Sequence, residues 1–367
     1  MWIAQRVARA GRGSAGGAAR WLTRRAALLV VALALASAWA TAAGPVRAAP
    51  DGQDVAPVTV YDSPGVESGD GRAAERLVQT ARDRLDRGDY QGAIDDLTRA
   101  LRSNHDLDRG RADLYVLLGR ARAGAGDAAG AITEFDRALQ FNSTLVDAYV
   151  GRAQARAALG ERDAALADLA SALQRSPNSA DLYSARASLR ADAGDAAGAV
   201  EDLTQALRLN PTSADLYTSR AYARVNSNDP RGAVEDFTNA LQLDPGRTDL
   251  YAARGYAAVN SNDFARAIAD FGEALRVNPN SAELYVARAY ARVSAGDRRA
   301  AIDDFTEALR LDPNAANAYS GRGYARADEG DRAGGLADLQ RAAEIYRNRG
   351  ETTSYQEVMS GLASMQQ

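Results

Sequence analysis

A short motif returns every thirty-four residues through most of this 367-residue chain. Gly-Asp stands at 88–89, 126–127, 194–195, 296–297 and 330–331, and Gly160-Glu161, Asn228-Asp229 and Asn262-Asp263 fill the gaps. The spacing is 38 once and then 34 six times. A fixed period of this length admits few architectures. Each unit must be one supersecondary element that buries its apolar face only against its neighbours. Other columns keep step. An alanine recurs at 100, 138, 172, 206, 240, 274, 308 and 342, and a tyrosine at 115, 149, 183, 217, 251, 285 and 319. A large apolar column runs Leu97, Phe135, Leu169, Leu203, Phe237, Phe271, Phe305 and Leu339.

Each unit reads as two helices. In residues 180–213 the first carries Leu182, Tyr183, Ala187 and Leu189. The second carries Ala199, Leu203, Ala206 and Leu207, the i, i+4, i+7, i+8 stripe of an amphipathic helix. Gly194, or Asn228 and Asn262 in later units, can take the left-handed backbone that ends a helix. The Asp that follows is a natural N-cap for the second helix, and Pro230 after Asp229 suits its first turn. Pro177, Pro211, Pro245, Pro279 and Pro313 stop the second helix. Unit two has Ser143 at that place instead.

These columns resemble the tetratricopeptide repeat family over about three quarters of the chain. The resemblance implies an all-α fold: a right-handed superhelical α-solenoid of eight helix-turn-helix units. It also implies that the first helices line a concave groove that binds partner segments. The units span 74–111, 112–145, 146–179, 180–213, 214–247, 248–281, 282–315 and 316–347, with the extra four residues of the first interval expected in 104–111. Residues 348–367 do not repeat. Tyr355, Val358, Met359 and Leu362 follow helical spacing, and Thr353 with Gln356 would make a capping box. A C-terminal capping helix over the last unit is expected.

The first 48 residues have another character. They hold seven Arg, no acid and all three Trp, so the remainder has 37 Arg against 48 acids, a net of −11. An Arg-rich stretch precedes the apolar run 26–43, and Val46-Arg47-Ala48 and Ala49 follow. This is the tripartite pattern of an export signal, cut best between Ala48 and Ala49, with Ala40 and Ala42 as alternatives. Arg24-Arg25 allows a twin-arginine route. The run, ~18 residues and ~27 Å as a helix, also allows an uncleaved membrane anchor. Residues 49–73, rich in Pro, Gly, Asp and Ser, are expected to form a disordered tether. An exported, extracytoplasmic protein follows.

Composition excludes several chemistries. There is no Cys, one His and no Lys, so thiol catalysis, His clusters, Schiff bases and P-loops are out. No enzyme motif, cofactor or metal site is expected. The net charge of −11 beyond the leader argues against nucleic acid. What remains is binding. Arg152, Arg186, Arg220, Arg254, Arg288 and Arg322 stand sixteen residues before Asp168, Asp202, Asp236, Asp270, Asp304 and Asp338, which reads as an ion pair between the two helices of each unit. Thr80 and Leu118 break the arginine column before Asp96 and Glu134. A second arginine column (Arg84, Arg122, Arg156, Arg190, Arg224, Arg292, Arg326) has Ala258 as its exception, and its stems can cover apolar surface. Asp113, Asp147, Asp181, Asp215, Asp249 and Glu283 fall in the first turn of each first helix, where the dipole favours a carboxylate. They would also give the groove an acidic edge. By resemblance, Tyr222, Tyr256, Tyr290 and Tyr324, with Val225, Val259, Val293, Asn226, Asn260 and Ser294, face the groove and grip an extended protein segment. Two other readings stay open: the same tyrosines stacking on glycan during polymer assembly or export, and a groove used for self-association.

Overall fold

The computed structural model describes residues 69–103 and 111–366; the leader and the tether up to 68 lie outside the described residues, as does the insertion at 104–110. The described residues form two compact units, one ending at Ser227 and one starting at Asn228. Among them the regular structure is seventeen α-helices.

The first unit contains α1 (Gly69–Asp86), α2 (Tyr90–Ser103), α3 (Arg111–Gly124), α4 (Ala128–Phe141), α5 (Val146–Ala158), α6 (Arg162–Arg175), α7 (Ala180–Asp192), α8 (Ala196–Leu209) and α9 (Ala214–Asn226). The second contains α10 (Pro230–Leu243), α11 (Asp249–Asn260), α12 (Phe264–Val277), α13 (Ala282–Ala295), α14 (Arg298–Leu311), α15 (Ala316–Asp328), α16 (Arg332–Asn348) and α17 (Thr352–Gln366). Odd-numbered helices up to α15 are first (A) helices and even-numbered ones second (B) helices.

The turns follow from their residues. Gly194 sits at φ +84°, and Asn228 and Asn262 at φ +63°, a region costly for most side chains but open to Gly and Asn. Asp127, Asp195, Asp263, Asp297 and Asp331 each accept a hydrogen bond from the backbone N–H three residues on. Glu161 makes no such side-chain cap, since its carboxylate stands one methylene further out. The A helices have caps too. Ser179, Ser213 and Ser281 accept from the N–H of Leu182, Leu216 and Leu284.

Each small core is shared by one hairpin and the next A helix. Leu97 and Ala81 pack with Leu114 and Leu118 of α3. Phe135 packs with Ala148 and Ala155 of α5, and Leu169 with Leu182 of α7. From α11 to α17 the core is one continuous cluster. Side-chain sizes are matched across this seam. Phe135 and Phe305 lie under Gly151 and Gly321, where an added Cβ would overlap the ring.

Two boundaries differ from expectation. Helix α1 starts at Gly69, inside the stretch read as tether, because a helix already nucleated by Ala74 and Ala81 extends another turn at little cost. Helix α17 starts at Thr352, so Thr353 lies within it. Glu351 precedes it and accepts the Tyr355 N–H through its backbone carbonyl, in place of the capping box. Val358 and Leu362 of α17 are buried in the last core, while Met359 points out.

Candidate interaction face

Each repeat buries one carboxylate. Asp168, Asp202, Asp270, Asp304 and Asp338 are buried on their B helices. Each takes a two-toothed grip from the arginine sixteen residues earlier. In the α13–α14 hairpin, Arg288 donates Nε–H to one oxygen of Asp304 at 2.9 Å and Nη2–H to the other at 2.7 Å. Arg152–Asp168, Arg186–Asp202, Arg254–Asp270 and Arg322–Asp338 repeat the geometry. Arg220 lies on α9 and Asp236 on α10, in different compact units. Such charge-assisted forks combine strength with fixed orientation. Each arginine also lies over the tyrosine three residues before it, as Arg288 does over Tyr285 at 5.4 Å. Its remaining Nη1 can reach the preceding B helix: Arg254 donates to Thr238 and Arg322 to Thr306.

The second arginine column now has a role. It supplies a second cation to the same carboxylate: Arg156 to Asp168 at 2.8 Å, Arg292 to Asp304 at 2.8 Å and Arg326 to Asp338 at 3.0 Å. Arg190 reaches Asp202 at 3.1 Å. The units that lack the first arginine are repaired from another direction. Asp96 is held by Arg84 and by Arg99, three residues on along its own helix; Glu134 is held by Arg122 and Arg137 in the same way. A buried carboxylate without cations would be costly, so the requirement is for compensation and not for one column. These clusters are structural: the arginines are turned inward and their charge is spent.

The tyrosine column occupies a different place from the open groove expected of it. Tyr290 and Tyr324 are 5 % and 3 % exposed. The ring of Tyr290 meets Phe305 edge-on at 5.2 Å, and its hydroxyl donates to the backbone carbonyl of Asn317 on the next A helix at 3.0 Å. Tyr256 meets Phe271 edge-on at 5.0 Å. Burial, with the Glu283 carboxylate nearby, pushes its phenol up to about 12. The Tyr324 hydroxyl lies against Gly361 of α17, where no side chain would fit. Val259 and Val293 are buried as well. The reason is the spacing of the A helices. Successive A helices touch in this unit, so a long side chain at this position fills the seam between them. Asn260 and Ser294 remain half-exposed, and Tyr222 and Val225 on α9 are half-buried beside exposed Asn226.

The first turns of the A helices present carboxylates to solvent. Asp113, Asp147, Asp181, Asp215, Asp249 and Glu283 are all exposed on the first turns of their A helices. Burial raises the carboxyl of Asp113 above its ordinary value, with Arg82 opposing and Asp147 adding to the rise. In the first unit the positions equivalent to the tyrosines hold Arg82, Arg120, Gln154 and Ser188, the last three exposed. Among the described residues no group of His, Cys, Asp or Glu could hold a metal ion, and no helix is long and apolar enough to cross a membrane.

The chain is similar to several solved proteins. A tetratricopeptide repeat protein from Parabacteroides merdae is 22% identical, covers 69% of this chain and 99% of its own, and has a TM-score of 0.48. The C-terminal part of a TPR repeat-containing protein from Cytophaga hutchinsonii is 17% identical, covers 66% and 98%, and reaches 0.57. YrrB, a TPR protein with an unusual peptide-binding site, is 22% identical, covers 48% and 91%, and has a TM-score of 0.43. No curated protein matches the chain. The family model described as tetratricopeptide repeat matches residues 68–145, 150–214, 218–282, 252–291 and 286–349. That is well over half of the sequence, in register with the helical hairpins, and the chain therefore belongs to the tetratricopeptide repeat family of non-catalytic protein-interaction scaffolds.

Proposed function

We propose that this protein is an exported scaffold that holds an extended, basic or neutral segment of a partner protein against the exposed side of its A helices. The observation that carries this reading is the row of exposed carboxylates in the first unit, one on the first turn of each A helix from Asp113 to Asp215. A repeating acidic row attracts cationic side chains spaced along an extended chain and repels acidic ones. Neighbouring exposed groups such as Gln154, Ser188 and Asn226 can hydrogen-bond a peptide backbone. Stacking on glycan, the rival reading, needs open tyrosine faces, and Tyr290 and Tyr324 present none. Binding of fluorescent peptides of equal length, rich in Arg, in Ser or in Asp, tests the proposal. The Arg-rich peptide is expected to bind best, and the combined Asp147→Asn and Asp181→Asn variant to weaken it roughly three- to tenfold at low salt. Equal binding of the Asp-rich peptide would sink the idea.

Export is supported by the basic, apolar and small-residue order of residues 1–48. N-terminal sequencing of protein recovered from outside the cytoplasm is expected to start at Ala49. An intact Met1 there would favour the anchor instead.

A further inference from the structure

The last two helices carry a surface unlike the rest of the molecule. An open groove of about 330 Å3 runs between α16 and α17, lined by Ala343, Glu344 and Arg347 on one wall and Tyr355, Met359 and Leu362 on the other. No helix among the described residues covers it. Beside it lies the outer side of α17. A quarter of the chain's residues are charged, yet Glu357 is the one charged residue in this fifteen-residue helix. Thr353, Gln356, Met359, Ser360, Ala363 and Ser364 are exposed there. Met359, 42 % exposed, stands out as an apolar knob at the mouth of the groove. The lack of charge and the exposed methionine are features of an interface centre, although the serines and the alanine beside them are not enriched in such centres. The rim supplies both signs. The exposed Arg347 guanidinium makes no hydrogen bond or ion pair among the described residues, and Glu344 one turn back pairs with exposed Arg341 at 2.6 Å.

We propose that this face is the contact between two copies of the chain, packed about a two-fold axis with α17 of each copy along the α16–α17 groove of the other. A two-fold contact requires a patch that is complementary to itself. This patch has a knob and a hole, Met359 and the groove, and an acid and a free base, Glu344 and Arg347. Under the two-fold, Met359 of each copy enters the groove of the other, and Arg347 of each meets Glu344 of the other. The α17 faces meet without like-charge repulsion, since neither brings a charge to the centre. The contact is separate from the A-helix face proposed for partner binding, so either proposal can fail alone.

Sedimentation velocity of the full chain, from about 1 to 100 µM, tests this. The wild type is expected to be a dimer across the upper part of that range. Met359→Arg is expected to weaken dimerisation at least about tenfold, as charge placed in an interface centre does. Arg347→Glu should weaken it as well, and adding Glu344→Arg to Arg347→Glu should restore it, because the two-fold then pairs the swapped charges. These positions are exposed in the single chain, so melting curves at low concentration should not move. If Met359→Arg lowers the melting temperature, Ser360→Arg on the same face gives the reading. A wild type that stays monomeric at the highest concentration, or a dimer indifferent to both arginine variants and to the charge swap, overturns the proposal.

Discussion

Asp304→Ala is expected to destabilise the second unit by about 3–5 kcal/mol, the cost of leaving buried charges uncompensated. Asp304 is 3 % exposed and neutralises two guanidiniums, Arg288 through two hydrogen bonds and Arg292 through an ion pair at 2.8 Å. Without it, both cations remain in a seam with 19 % and 22 % of their side-chain surface in water. Arg292 keeps a bond to the carbonyl of Ala300, and Arg288 keeps its place over Tyr285, so neither can leave freely. The chain provides its own comparison. Asp270 is gripped by Arg254 alone, because Ala258 stands where a second arginine would be. Asp270→Ala strands one cation and should therefore cost less than Asp304→Ala. Urea denaturation followed by helical circular dichroism measures both. Equal losses, or a loss below about 1 kcal/mol at Asp304, would mean that the second arginine is a solvated bystander.

Ending the chain after Gly350 is the other large change. It removes α17, and with it the buried Val358 and Leu362. Full burial of two such side chains is worth roughly 3–6 kcal/mol. Tyr324, whose hydroxyl meets Gly361, and Ala343, opposite Leu362, would lose their cover, and newly exposed apolar surface promotes association. Repeat architectures spread such damage only to nearest neighbours. The melting of the last two hairpins should therefore drop and the protein should aggregate on warming, while helicity from 69 to 227 is retained. An unchanged melting curve would show that α17 is an appendage. The contrast with Met359→Arg separates the two sides of this one helix, since the inner side governs stability and the outer side the proposed dimer.

Much of this was readable in one dimension. Helix pairs, turns and the Arg–Asp forks depend on residues within one repeat, at separations set by helical geometry. Gly194 with Asp195, or Arg288 with Asp304, could be matched by counting. The serine caps Ser179, Ser213 and Ser281 were equally local, and the signal missed was a Ser two residues before the acid at the start of these three A helices. The repair of Asp96 and Glu134 by Arg99 and Arg137 was also visible as an i, i+3 spacing, but only once the acid was known to be buried.

The tyrosine column shows where counting stops. Period and spacing placed Tyr256, Tyr290 and Tyr324 on one side of the A helices; they could not say how closely the next A helix approaches. That distance is set by what lies between the hairpins, such as Phe305 beneath Gly321, and it turned the tyrosines from an open surface into a seam. The same holds for α17, whose apolar stripe was plain but whose uncovered groove against α16 was not. Repetition in the sequence determines the hairpin and its stacking, because those contacts recur at fixed separations. The exposed face is decided by the tertiary structure, because exposure is a property of the gap between neighbours and not of any residue in the row.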